Sequence, residues 1–244
     1  MKSKILSSVL AVSLLSGCSV PEVFQAEKSV SNTIQSSMTA GELVSQLRKA
    51  SAELDNDLSS ILYEWVEVNS NVSALLCVSD WGTVIPVLKS ENSNKEWLRT
   101  NIYGEEDIYG ASFFDYRTPP DTSAIRIVYG HNNKNDKDFN KLADLLYSGS
   151  ESELPLISIY EEQGLLEYKI FSIFTLDSTK KALDINPLWS LSDIENFKVY
   201  AYTHSNVETS LPESSDILVV STCWYGESGV ERGLRVLICA AREN

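Results

Sequence analysis

Asp216-Ile217-Leu218-Val219-Val220-Ser221-Thr222-Cys223 is the stretch on which the reading of this chain turns. Its aliphatic and β-branched run reads as a strand over 216–222 that delivers a cysteine at its polar end. Two other stretches belong with it. Ile127-Val128-Tyr129-Gly130-His131-Asn132 brings a histidine to the end of a second apolar strand, and Arg235 opens the run Val236-Leu237-Ile238-Cys239-Ala240. The chain has two histidines and four cysteines in 244 residues, so their recurrence at strand ends, with an arginine at a third, carries weight.

The three side chains suit one kind of chemistry. A free thiol has a pKa of about 8.5, and nearby cationic groups raise its thiolate fraction. A histidine near its own pKa can protonate a leaving amine. A fixed guanidinium can neutralise the oxyanion of a tetrahedral intermediate without changing its own protonation. The pattern therefore points to a cysteine-dependent acyl transfer, with Cys223 as nucleophile, His131 as general acid and then base, and Arg235 as oxyanion and substrate clamp. Arg232 is the alternative arginine, but Arg235 directly precedes the apolar run.

Working outward, the first residues read as an export signal. Lys2 and Lys4 precede a mostly apolar run from Ile5 to Leu15, and Leu15-Ser16-Gly17-Cys18 follows. That ending resembles a bacterial lipobox, which would make residues 1–17 a signal peptide and Cys18 a lipidated N-terminus; an ordinary secretory signal or an uncleaved anchor is the alternative. Residues 18–38 read as a flexible tether, and 39–244 as one domain. The expected location is the extracytoplasmic face of a bacterial membrane, lipid-anchored or signal-anchored.

The formal charge is −14, and without residues 1–17, which hold two lysines and no acid, 18 basic face 34 acidic side chains, a charge of −16. Such a chain is a poor candidate for binding nucleic acid or an anionic membrane surface. Apart from Cys18, the cysteines are Cys77, Cys223 and Cys239, an odd number for a disulfide framework. Cys77 and Cys239 sit in apolar runs and read as small buried hydrophobes, although a Cys77–Cys239 disulfide is possible. The spacings match no zinc signature.

From Thr39, Leu43, Leu47 and Leu54, then Leu58, Leu62, Trp65 and Val66, recur at helical spacing. Asp55 or Asp57 is a candidate cap between them, so a helical pair is expected. After Asn69-Ser70-Asn71, strands are expected over 72–78, 83–89, 124–130, 156–160, 166–174, 216–222 and 234–241. Short strands with mixed connections favour a closed barrel. A short helix containing Phe139, Leu142, Ala143, Leu145 and Leu146 follows His131, and a longer one covers 190–205.

The residues resemble the sortases, and class B sortases in particular, across nearly all of 55–242. Asn69-Ser70-Asn71-Val72 is similar to the family's lead-in to its barrel, and Pro86-Val87-Leu88 to its Pro-Val-Val strand. Asn94 and Leu98 sit where the family has an Asp-Asn-x-x-Tyr-Leu segment. Ala111-Ser112-Phe113-Phe114-Asp115-Tyr116-Arg117 is similar to Ser-x-Phe-x-Asp-x-Arg. Tyr129-Gly130-His131-Asn132 is close to its histidine motif, Tyr168-Lys169-Ile170-Phe171-Ser172 to the strand that follows, and Ser221-Thr222-Cys223 to the end of Thr-Leu-x-Thr-Cys. The helix at 190–205 fits the long insertion that marks class B. Departures are Val219-Val220 for Thr-Leu and the missing tryptophan near Ala74-Leu75.

The resemblance implies a mainly β (α+β) fold: a closed sortase-type barrel of about eight strands with N-terminal helices. It implies a transpeptidase that cleaves a C-terminal sorting signal after Thr, with an Asn-Pro-x-Thr-x type of signal expected. The thioacyl-enzyme would pass to an amine of a cell-wall precursor or, alternatively, to a pilin lysine; a degenerate peptide-binding sortase fold is a further alternative. Asn94, Leu98, Tyr129 and Ser221 would line the substrate groove, with no metal or cofactor implied. A papain-like hydrolase is disfavoured, because there a helix begins at the cysteine. Plainer roles are expected elsewhere: His204, Glu105-Glu106-Asp107 and Glu161-Glu162 as solvated residues, Arg117 and Arg126 in surface ion pairs, Trp65 and Trp97 in packing.

Overall fold

The computed structural model describes residues 40–78, 81–118, 124–132, 137–180, 189–224 and 233–243. The signal and tether expected at 1–38, with Cys18, and the alternative arginine Arg232 lie outside the described residues.

Eight strands close into a barrel. They are β1 (Val72–Val78), β2 (Thr83–Leu88), β3 (Phe113–Phe114), β4 (Ile125–Gly130), β5 (Leu156–Glu161), β6 (Gly164–Asp177), β7 (Ile217–Trp224) and β8 (Leu234–Arg242). Around the barrel the order is β1-β2-β3-β4-β7-β8-β6-β5. β4 and β7 run parallel, and β8 is antiparallel to both its neighbours, β7 and β6. All seven expected strands are present within a few residues. β3 is the addition, and its two residues are too few for a period-2 pattern to register. Glu161 pairs with Gly164 across the β5–β6 turn, as the hairpin reading expected, but Glu161 itself is buried rather than solvated.

Alternation along the strands sorts the aliphatic residues into two environments. Leu76, Val128, Ile173, Leu218, Val220, Val236 and Ile238 fill the interior. Helix α2 (Lys137–Asp144), continued by a 3-10 turn over Leu145–Tyr147, packs Phe139, Leu142, Leu145 and Leu146 into that same core. On the outer face, Ile127, Val219, Leu237 and Cys239 meet Ile194, Phe197 and Ala201 of helix α3 (Leu191–Thr203). This helix lies in the β6–β7 connection, and a reciprocal Ser190–Asp193 capping box starts it.

A third cluster corrects the N-terminal reading. Helix α1 is continuous from Ala40 to Val68, 29 residues, rather than a helical pair. Asp55 and Asp57 are exposed within it and cap nothing. Leu54, Leu58, Ile61, Leu62 and Trp65 keep an unbroken apolar stripe against Leu75 and Cys77 of β1, with no glycine or proline between 42 and 68 to interrupt it. The described helices include none long and apolar enough to cross a membrane.

No disulfide joins Cys77 and Cys239, because β1 and β8 are not neighbours and each thiol lies under a different helix. Burial pushes the Cys239 thiol well above the usual range, which leaves it inert. Arg126 forms an ion pair that is buried rather than superficial: its Nη1 donates to Asp216 Oδ1 at 2.8 Å and to the Tyr168 hydroxyl at 2.6 Å.

Candidate active site

Strand register brings the three residues together. Gly130 pairs with Thr222 in the parallel β4–β7 ladder, and Cys223 pairs with Arg235 in the antiparallel β7–β8 ladder. His131 is one step beyond Gly130, so Cys223 sits on the middle strand with His131 to one side and Arg235 to the other. Each is offset by about one strand spacing, roughly 5 Å in backbone terms. Parity then sets the face. Cys223 shares its parity with Ser221 and Val219, Arg235 with Leu237, and His131, one residue past the end of β4, with Tyr129 and Ile127. All three therefore belong to the outer face, at the rim that the α3 cluster leaves uncovered. Cys223 is half-buried, unlike the enclosed Cys77 and Cys239.

Hydrogen bonds fix the rim. The Thr222 hydroxyl donates to Gly130 O at 2.9 Å, and Asn132 Nδ2 donates to Cys223 O at 2.9 Å. Asn140 of α2 donates in turn to Asn132 Oδ1 at 3.1 Å. The backbone carrying the histidine is thus stapled to the backbone carrying the thiol. His131 Nε2 lies 3.0 Å from Leu98 O, and Arg235 Nη1 donates to Leu234 O at 2.9 Å.

Below the histidine is a polar brace. Asp115 has no exposed side-chain surface and accepts Arg117 Nε at 3.0 Å and Nη2 at 2.7 Å. It also accepts the Tyr129 hydroxyl at 2.9 Å, while Asn94 Oδ1 accepts the Tyr116 amide at 3.0 Å. Burial alone would raise the Asp115 pKa. The bonds from Arg117 and Asn94 outweigh it, and the carboxyl is held below its ordinary value. Burial, reinforced by the Asp115 charge, pushes the Tyr129 phenol well above its usual range, so it stays a donor.

Of the groove residues expected from sequence, Leu98 is partly exposed and bonds His131 through its carbonyl. Asn94 and Tyr129 are engaged in the brace, and Ser221 is buried beside Tyr129 in the β4–β7 ladder. Two contributors go beyond the residues expected from sequence: Asn132, which bonds the Cys223 carbonyl, and Asp115, whose partner Arg117 braces a buried carboxylate rather than a surface one. Asp-x-Arg spacing was the signal for the brace, but only the fold buries the carboxylate. Trp97 packs as expected, its Nε1 donating to Lys89 O at 3.0 Å, and His204 is the exposed C-cap of α3.

No protein-family model matches the chain, and no curated protein matches it by sequence. Solved structures do. A Clostridium perfringens sortase B matches with a TM-score of 0.64 and 19% identity over 75% of this chain and 99% of that one. A Staphylococcus aureus sortase B–substrate complex gives 0.64 and 19%, over 82% and 97%. A Streptococcus pyogenes class B sortase involved in pilus biogenesis gives 0.60 and 21%, over 74% and 96%. At these identities the likeness speaks for architecture, and it agrees with the eight-strand closure and the helix in the β6–β7 connection: the chain has the class B sortase fold.

Proposed function

We propose that this protein is a cysteine transpeptidase of the class B sortase type. The observation that carries the reading is the register that sets Cys223 between His131 and Arg235 on one half-buried rim. In the proposed reaction the Cys223 thiolate attacks the carbonyl carbon of a threonine in a sorting signal. Arg235 neutralises the oxyanion. His131 gives a proton to the leaving amine as the C–N bond breaks, and a thioester remains. A neutral amine then attacks the thioester and loses a proton to His131, and the thiolate departs as the new amide forms.

The donor expected is a secreted protein with an Asn-Pro-x-Thr-x type of signal, and the acceptor an amine of a cell-wall precursor. A substrate complex of a S. aureus sortase B on the same fold supports a peptide donor. A pilin lysine is the acceptor to compare, because a class B fold neighbour works in pilus biogenesis.

The test incubates the full chain with a panel of sorting-signal peptides and either a glycine-type or a lysine-type amine, read by mass spectrometry. A thioacyl adduct on Cys223 and cleavage after Thr are expected, with turnover in Cys223→Ala lower by about 10³-fold or more. Cleavage that survives in Cys223→Ala would sink the assignment. Absence of adduct with every peptide would favour a peptide-binding role. The lipobox-like Leu15-Ser16-Gly17-Cys18 supports lipid attachment at Cys18 outside the cell membrane. Globomycin, which blocks lipoprotein signal processing, should then leave an unprocessed precursor, and normal processing in its presence would rule attachment out.

A further inference from the structure

A histidine that exchanges protons during a reaction has two ring nitrogens, and the hydrogen bond on one decides which is left to work. In this chain the partner is a backbone carbonyl: Nε2 of His131 lies 3.0 Å from Leu98 O. A carbonyl oxygen only accepts, so the proton is on Nε2. The carbonyl is itself held in place. On either side of it, the Ala111 amide donates to Trp97 O at 3.0 Å and the Asp107 amide to Arg99 O at 2.9 Å.

Gly110 closes the arrangement. Its φ of +57° is one that glycine adopts without strain. A Cβ there would come within 2.8 Å of the Leu98 carbonyl carbon and oxygen and would crowd Trp97 O. The chain can pass this close to the carbonyl only without a side chain.

We propose that the Leu98 carbonyl, kept in place by Gly110, is the positioning group of His131, fixing the Nε2–H tautomer and assigning proton exchange to Nδ1. This rests on the transpeptidase reading for its chemical meaning. The Nδ1 proton goes to the leaving amine, Nδ1 takes one back from the incoming amine, and Nε2–H stays on the carbonyl throughout. The carbonyl takes the place that a carboxylate or amide side chain holds in triads.

The test is nitrogen-15 NMR of the two imidazoles in the full chain, at a pH well above the free imidazole value of about 6.5. With two histidines in the sequence, His204 is the internal control. Its Nδ1 lies 2.8 Å from Tyr200 O, so it should show the opposite tautomer, Nδ1–H. For His131, a single Nε2–H form with a proton protected from exchange is expected. A proton on Nδ1, or an average of both tautomers with rapid exchange, overturns the proposal. In Gly110→Ala the protected Nε2 proton should be lost while the His204 signature persists, and peptide cleavage should slow by about 10²-fold. A protected Nε2 proton that survives in Gly110→Ala overturns the role of Gly110 in holding the carbonyl. If the variant unfolds, the His204 signature goes as well, and the wild-type tautomer decides. A peptide panel that stays silent beside an Nε2–H His131 would end the transpeptidase reading and with it the proton-exchange role of Nδ1, while the tautomer set by the Leu98 carbonyl would stand.

Discussion

Asp115 is a carboxylate with no exposed surface, and one guanidinium makes that tolerable. Removing the partner of a buried charge costs more than forming the pair gains, because the charge left behind has neither water nor a counter-ion. Arg117→Ala should therefore destabilise the protein by about 3 kcal/mol at neutral pH. The pH dependence has a definite sign. Because the folded Asp115 pKa is depressed, its stabilising contribution is present above the unfolded value of about 3.9 and is lost as pH falls through the lower folded value. In Arg117→Ala the guanidinium no longer opposes burial and the carboxyl protonates more readily. The gap between the two proteins should narrow below about pH 4, and urea midpoints at neutral and acid pH check this. A gap that is constant or widens in acid would show that Asp115 is not what Arg117 serves. At this scale the candidate residues were readable, since Cys223 and His131 are scarce types at strand ends and Arg235 opens a third strand. Arg117 and Arg126 were not, because a sequence marks a charge without saying which carboxylate it will be buried against.

Among the elements, α2 helps to hold the rim. Gly130 faces the interior opposite Thr222, and a Cβ there would lie within the Phe139 ring. The glycine therefore lets α2 seat against the barrel, and α2 carries Asn140, which holds Asn132 on the Cys223 carbonyl. Gly130→Ala should cost about 2 kcal/mol through overpacking and reduce turnover by disturbing the staple. A double-mutant cycle with Phe139→Leu, read from urea midpoints, should give a coupling of about 1 kcal/mol or more. Additive costs would mean that the two residues do not share the space. Element existence was legible from periodicity almost throughout, down to α3 within two residues of each expected end. The break expected in α1 is instructive. Asp55 and Asp57 resemble caps locally, yet the stripe from Leu54 to Trp65 continues across them, and burial of that stripe against β1 overrides two weak local preferences.

Across the whole molecule the barrel separates stability from chemistry by length. Asp216 precedes β7, and Cys223 lies seven residues along, roughly 20 Å at a rise of about 3.3 Å per residue. Asp216 there accepts Arg126 from β4, Tyr168 from β6 and Arg242 from β8, tying the end of the barrel away from the rim. Asp216→Ala should lower stability by about 3 kcal/mol, since it strands the buried Arg126, and leave kcat/KM per folded molecule unchanged. A fall in kcat/KM with a normal melting temperature would show the two ends to be coupled. The sequence by itself determined the composition of the strands, the closed-barrel class, the acidic character and the three candidate residues at strand ends. It did so because period-2 burial and rare reactive side chains are local properties of the chain. Tertiary structure alone decided that β4 lies beside β7, that Asp115 is sealed under Tyr129, and that Leu98 and Gly110 meet His131. Those contacts join residues up to about ninety positions apart, and their pairing is set by barrel closure and register, which no local pattern encodes.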